Sequence, residues 1–194
     1  MIFTNQYFEE VSKIIKELDF RIIENLVQQI NTLRLSGGRL FFLGVGGSAA
    51  NASHAVNDFR KLCNIESYAP TDNVSELSAR TNDEGWETVF SNWLEISKLS
   101  ENDAIFIFSV GGGNKQKNVS TNLVNAIDFA KFKNAKIFGI VGKSDGYAYK
   151  SADICILVPE VSIDRTTPHS EAFQAVIWHC IVSHPLLQVN STKW

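Results

Sequence analysis

Two pairs of residues in this chain could do acid–base or metal chemistry: His54 with Asp58, and Glu171 with His179. His54 and Asp58 are four apart in the run SAANASHAVNDF, so a helix sets them on one face. There they could ligate one ion, or act as a base beside an electrophile. The competing reading of such a pair is a solvated contact between neighbours on a helix. Glu171 and His179 are eight apart, about 12 Å of helix rise, so they share a side but stand two turns from each other. They do not grip one ion from a single straight helix. Either one is a ligand and the other a proton donor, or two copies of the chain contribute. His179 also stands beside Trp178 in an apolar run, where it could instead be a core histidine bonded to backbone.

The segment before His54 adds a second kind of chemistry. Leu40 to Leu43 form a bulky, strand-like run, Gly44, Gly46 and Gly47 let the backbone turn and expose N–H groups, and Ser48 can cap a following helix while donating its hydroxyl. A phosphate at that helix start would meet backbone donors and the positive end of the helix dipole. Taken alone the glycines are also a plain tight turn. A second loop of the same kind follows AIFIF at 104–108, where SVGGGN occupies 109–114. In an open α/β sheet ligands sit outside the carboxyl ends of the strands, so both loops face one crevice if the two strands are neighbours. Phosphate or sulfate is therefore expected between the loops, on Gly46, Gly47, Ser48, Ser109, Gly111, Gly112 and Ser120. Gly44, Gly46 and Ala49 also satisfy a relaxed dinucleotide fingerprint, with Glu66 placed as the ribose acid, but Asn64 to Tyr68 is too short and polar for the strand that fingerprint needs.

These residues need a scaffold, and the pattern supplies one. A helical period runs over 4–36 and ends at Gly37 and Gly38. Its stripe is buried either on the chain's own sheet or against another subunit. Helices are expected at 48–62, 73–81, 86–98, 120–133, 145–151 and 168–183, and strands at 40–43, 104–108, 136–141 and 153–158. Strands alternating with helices mean an α/β fold, a three-layer sandwich with a mostly parallel sheet flanked by helices and an N-terminal helical arm. The 194 residues, 44% hydrophobic and 20% charged, read as a single domain over 1–194, with the arm at 1–36 and the sheet core at 37–186.

A net charge of -3 without a Lys/Arg cluster gives no footprint for nucleic acid or an anionic membrane. The N-terminus lacks a basic start followed by an apolar core, and no 18 apolar residues run together, so a soluble cytoplasmic protein is expected. Cys63, Cys155 and Cys180 lack metal or disulfide spacing and are expected to be reduced, buried and inert.

GVGGS, its spacing to His54 and Asp58, NDEGW at 82–86, the loop at 109–114 and EAFQAVIWH at 171–179 together resemble the sugar isomerase (SIS) fold. Within it the chain resembles the phosphoheptose isomerases. The similarity spans about residues 5 to 185. It implies a homotetramer interconverting sedoheptulose 7-phosphate and D-glycero-D-manno-heptose 7-phosphate, with active sites at subunit interfaces and zinc in some members.

Carried over by position, Ser48, Ser109 and Ser120 match phosphate-binding serines, the last after an insertion around KQKNV, and Asp83 matches a substrate-contacting aspartate. His54 matches a metal-binding histidine, Asp58 a catalytic glutamate, Glu171 a glutamine and His179 the catalytic histidine. A zinc site from His54, Asp58, Glu171 and His179 follows, and so does a catalytic set of Asp58, Glu171 and His179. Either carboxylate could be the base, with His179 moving protons between the oxygens. The chain departs from the family's pattern at Val45, Val110, Gly111 and Pro168, which bears on the substrate. A non-catalytic SIS module that binds a sugar phosphate or a protein, and an isomerase of another sugar phosphate, are the alternatives.

Overall fold

The structure is a computed structural model that describes residues 2–192. Five short apolar runs form one parallel sheet: β1 (Leu40–Leu43), β2 (Ser67–Tyr68), β3 (Ala104–Ser109), β4 (Lys136–Val141) and β5 (Ile154–Leu157), in the order β2-β1-β3-β4-β5. Every residue of β1 and β3 is buried, as expected for parallel strands covered on both faces. Alternate side chains divide the core. Phe42, Phe106 and Phe108 face one layer with Phe59 and Trp178, while Phe41, Ile105 and Ile107 face the other with Phe90 and Ile127.

The helices are α1 (Phe3–Glu17), α2 (Phe20–Leu35), α3 (Gly47–Cys63), α4 (Val74–Glu84), α5 (Val89–Ile96), α6 (Thr121–Phe132), α7 (Tyr147–Ser151) and α8 (Thr166–Val182). The helical period over 4–36 is thus two helices. Leu18 is extended, and the Asp19 carboxylate accepts the Arg21 N–H to start the second helix. α2 buries Ile23, Leu26, Val27, Ile30 and Leu33 against the chain's own β5 and α8, whereas α1 buries Ile14 alone and leaves Phe3, Phe8 and Ile15 exposed. α8 starts two residues ahead of the expected Pro168. Proline fits there because the first-turn N–H groups have no helical partner to lose.

Two further expectations are corrected. Asn64 to Tyr68 does contain a strand, the two-residue β2, because pairing with β1 needs only Leu40 and Phe41 opposite Ser67 and Tyr68. Its position removes the dinucleotide reading on better grounds than length: the Leu40 N–H donates to the Glu66 carbonyl, so Glu66 stands at the start of β1, away from the glycine loop. A ribose acid belongs at the carboxyl ends. Of the cysteines only Cys63 is fully buried; Cys155 is half-buried and Cys180 exposed on α8. Burial pushes the Cys63 and Cys155 thiols up to about 12, which keeps both protonated. Among the described residues no helix is long and apolar enough to cross a membrane.

β1 and β3 are neighbours in register, Leu43 opposite Ile107. The two glycine loops therefore emerge side by side, where the chain leaves β1 for α3 and β3 for α6, the point in such sheets at which ligands bind.

Candidate active site at the carboxyl ends of the central strands

The first loop bends at Gly46, whose φ of 65° is the left-handed conformation that favours glycine, and this residue is the N-cap of α3. Ser48 is therefore inside the first turn and is not the cap. At Gly47 an added Cβ would lie 2.5 Å from Oε2 of Glu171 on α8, so that carboxylate sits directly against the loop and would have to swing aside for a side chain there. Val45, exposed, projects from the crest of the loop.

Ser48 is buried, and its Oγ accepts an N–H from Gln174 Nε2 at 3.0 Å. Asn51 Nδ2 in turn donates to Gln174 Oε1 at 2.8 Å and to the Glu171 backbone carbonyl at 2.9 Å. That carbonyl can only accept, so it fixes the orientation of the Asn51 amide, which fixes that of Gln174. The chain runs Asn51 to Gln174 to Ser48, all donors pointing one way. The Ser48 hydroxyl, already an acceptor, keeps its own hydrogen for a further partner. Neither Asn51 nor Gln174 was singled out from the sequence, because Gln174 meets α3 only through the packing of α8.

In the second loop Ser109 Oγ accepts the Gly112 N–H at 3.0 Å, and Gly112 and Gly113 take φ of 70° and 77°. Gly111 is exposed and Ser120, at φ 48°, opens α6 without a side-chain cap bond. The KQKNV segment is closed off by reciprocal backbone bonds between Asn114 and Val119, 2.8 and 3.1 Å. The loop can therefore be longer without moving Ser120.

The acid–base candidates converge where α3 packs on α8. Asp58 Oδ2 lies 3.6 Å from His54 Nε2 and 3.4 Å from His179 Nε2, and the two imidazole rings meet edge to face with centroids 5.3 Å apart. The Trp178 indole N–H donates to the same Oδ2 at 3.2 Å, and Asn57 Nδ2 donates to Oδ1 at 3.0 Å. The Asp58 side chain is 11% exposed, while those of His54 and His179 are 56% and 49% exposed. His179 is therefore not a core histidine, and His54 with Asp58 is more than a solvated pair.

Two nitrogens and one oxygen within 4.8 Å of one another form a donor set suited to zinc. The separations of 3.4 and 3.6 Å compare with about 3.3 Å for the edge of a tetrahedron with bonds near 2.0 Å. Glu171, expected in the same set, is not in it. Two turns of helix carry it to Gly47, at the first glycine loop. Asp83 does not join either group in this chain. It is exposed near the end of α4, which packs on α5 and on the turn Pro70–Asp72, and its carboxylate is engaged by Asn82 at 2.7 Å.

Comparison with known proteins bears on this arrangement. The family profile of the SIS domain matches residues 6–142, which include both loops, His54 and Asp58 and end before α8. The chain is 30% identical over 166 residues to the phosphoheptose isomerase of Aneurinibacillus thermoaerophilus, covering 83% of this chain and 78% of that one. It is 32% identical over 160 residues to the lincomycin biosynthesis protein LmbN of Streptomyces lincolnensis, covering 77% of this chain and 56% of that longer protein. Its fold is similar to the structure of a phosphoheptose isomerase from Francisella tularensis, with a TM-score of 0.78, 20% identity, and 92% and 94% of the two chains covered.

Proposed function

The chain belongs to the SIS domain family, within which it is phosphoheptose isomerase-like, and from that premise we propose that it is a sugar-phosphate aldose–ketose isomerase. Its substrate in this reading is sedoheptulose 7-phosphate, converted to D-glycero-D-manno-heptose 7-phosphate. The observation that carries the reading is the convergence of His54, Asp58 and His179 where α8 packs on α3, the helix that opens from the first of two loops ending neighbouring strands.

The phosphate is held by the backbone N–H groups of Gly46, Gly47 and Gly111 and the hydroxyls of Ser48, Ser109 and Ser120, with binding energy applied far from the reacting carbons; Gly112, expected in the same set, gives its N–H to Ser109 Oγ. Asp58 takes the proton from the carbon beside the carbonyl, and His179 carries a proton between the two oxygens. Zinc would be held by His54, Asp58 and His179 and, when bound, supplies polarisation of the carbonyl and an anchor for the oxygens. Glu171, at Gly47 and two turns of α8 from His179, does not reach the same carbon within one chain, which leaves Asp58 as the base. The acid flanked by two half-exposed imidazoles favours this reading over a non-catalytic module. Turnover assayed over pentose, hexose and heptose phosphates, with metal analysis of the same sample, tests the reading. Interconversion of the heptose phosphates is expected; tight sugar-phosphate binding without turnover of any member counts against it.

A homotetramer belongs to the same proposal. The half-exposed histidines, the apolar face of α1 with Phe3 and Phe8, and the placement of Asp83 away from His54 are all accounted for if a second copy covers the site. Light scattering at micromolar concentration is expected to give four chains; a stable monomer contradicts this.

A further inference from the structure

Among the described residues Trp178 is the largest side chain that is almost fully buried, 1% exposed, yet its indole carries a donor that must be met. It is met by Asp58 Oδ2 at 3.2 Å, the oxygen nearest both imidazoles. The other face of the same residue is fixed by the sheet. The Trp178 ring lies 13° from the plane of Phe108, with centroids 5.9 Å apart, and Phe108 is the residue before Ser109 of the second loop. The edge of His54 packs on it as well, at 5.2 Å.

We propose that Trp178 is a positioning residue: its N–H holds Asp58 Oδ2 between His54 and His179, and its stack on Phe108 registers that carboxylate against the second loop. The inference rests on the reading of His54, Asp58 and His179 as the site. An indole only donates and a carboxylate only accepts, so the sense of the bond is unambiguous. With Oδ1 held by Asn57 and Oδ2 by Trp178, the carboxylate plane is set before any ligand arrives. Partners of this kind around a ligating carboxylate tune both affinity and orientation.

Trp178→Phe keeps the stack on Phe108 and removes the N–H. Zinc affinity, measured by competition with a chromophoric chelator, is expected to weaken about ten-fold, with kcat lowered by a similar factor. KM should change by less than about two-fold, because the phosphate loops are untouched. In an Asp58→Ala background, which has no acceptor for the indole, the same change should cost no further zinc affinity. A folded Trp178→Phe protein with unchanged zinc affinity and kcat overturns the proposal, and so does an equal loss in the Asp58→Ala background. The bond itself is read without removing the indole, from the Trp178 N–H resonance of protein labelled with 15N-tryptophan. That resonance is expected to move in Asp58→Asn, and its standing still overturns the proposal even if Trp178→Phe does not fold. Full activity in Asp58→Asn would overturn the reading of the site instead, a result distinct from the others.

Discussion

Of the places where a carboxylate meets a histidine among the described residues, Glu10 and Asp58 are built to opposite ends. Glu10 on α1 receives Arg165 through two bonds, 2.7 and 2.6 Å, and His169 Nε2 at 2.8 Å, with the Tyr7 ring tilted against that of His169, centroids 4.6 Å apart. The His169 ring is 3% exposed, and the cluster ties α1 to the first turn of α8. At Asp58 the imidazole nitrogens stand 3.4 and 3.6 Å off, too far for good hydrogen bonds, and both rings are about half exposed. The carboxylate is instead held by neutral donors, Trp178 and Asn57. Short, closed bonds between opposite charges make a tie. A fixed acid with imidazoles held near but not bonded to it makes a site that can take a ligand or move a proton. Residue type alone does not separate the two; bond length and exposure do.

The strongest test of this contrast is activity. Asp58→Asn and His179→Ala are each expected to lower kcat roughly a thousand-fold, in keeping with loss of a positioned acid or base, while Glu10→Gln leaves kcat at the wild-type value. A comparable loss in Glu10→Gln would erase the distinction. His54→Ala sharpens it: a severe loss together with loss of bound zinc marks a metal site, and near-wild-type turnover marks an acid–base site.

A smaller effect is expected at the loop. In Gln174→Glu the group facing Ser48 no longer donates, and the Ser48 hydroxyl turns to the new carboxylate, leaving the phosphate without it. KM is expected to rise about ten-fold with kcat nearly unchanged. An unchanged KM would mean that the Asn51 to Ser48 chain only packs α3 on α8.

The smallest effect concerns stability and pH. The Arg165 guanidinium, and then His169, hold the Glu10 carboxyl down to about 2 from its ordinary 4.5. A lowered folded pKa means that the stabilisation is complete above about 4.5 and is lost as the pH falls toward about 2. Melting temperatures of the wild type and Glu10→Gln should therefore differ at neutral pH and converge across that window. Parallel curves down to the lower limit would show that the tie contributes nothing through its charge.

Much of the scaffold was legible because it is local. Leu40 to Leu43 and Ala104 to Phe108 are apolar without alternation, which is what a doubly covered parallel strand requires, and the glycines mark where each ends. β2 was not legible, since two residues have no periodicity of their own and exist as a strand only by pairing with β1. Cys180 was misjudged for a related reason. α8 carries apolar residues on every side, so its sequence does not tell the buried Ile177 and Ile181 from the exposed Val176 and Cys180.

By itself the sequence determined the order of strand, loop and helix, and it placed His54 and Asp58 on one face of α3, because a helix puts neighbours four apart together wherever it lies. It also separated Glu171 from His179, since helix rise is fixed. Only the tertiary structure decided which of those two meets Asp58, that Trp178 supplies the donor, and that Gln174 reaches Ser48. Those contacts depend on the register of α8 against α3, which more than a hundred intervening residues and the shared face of the sheet impose. No local spacing encodes it.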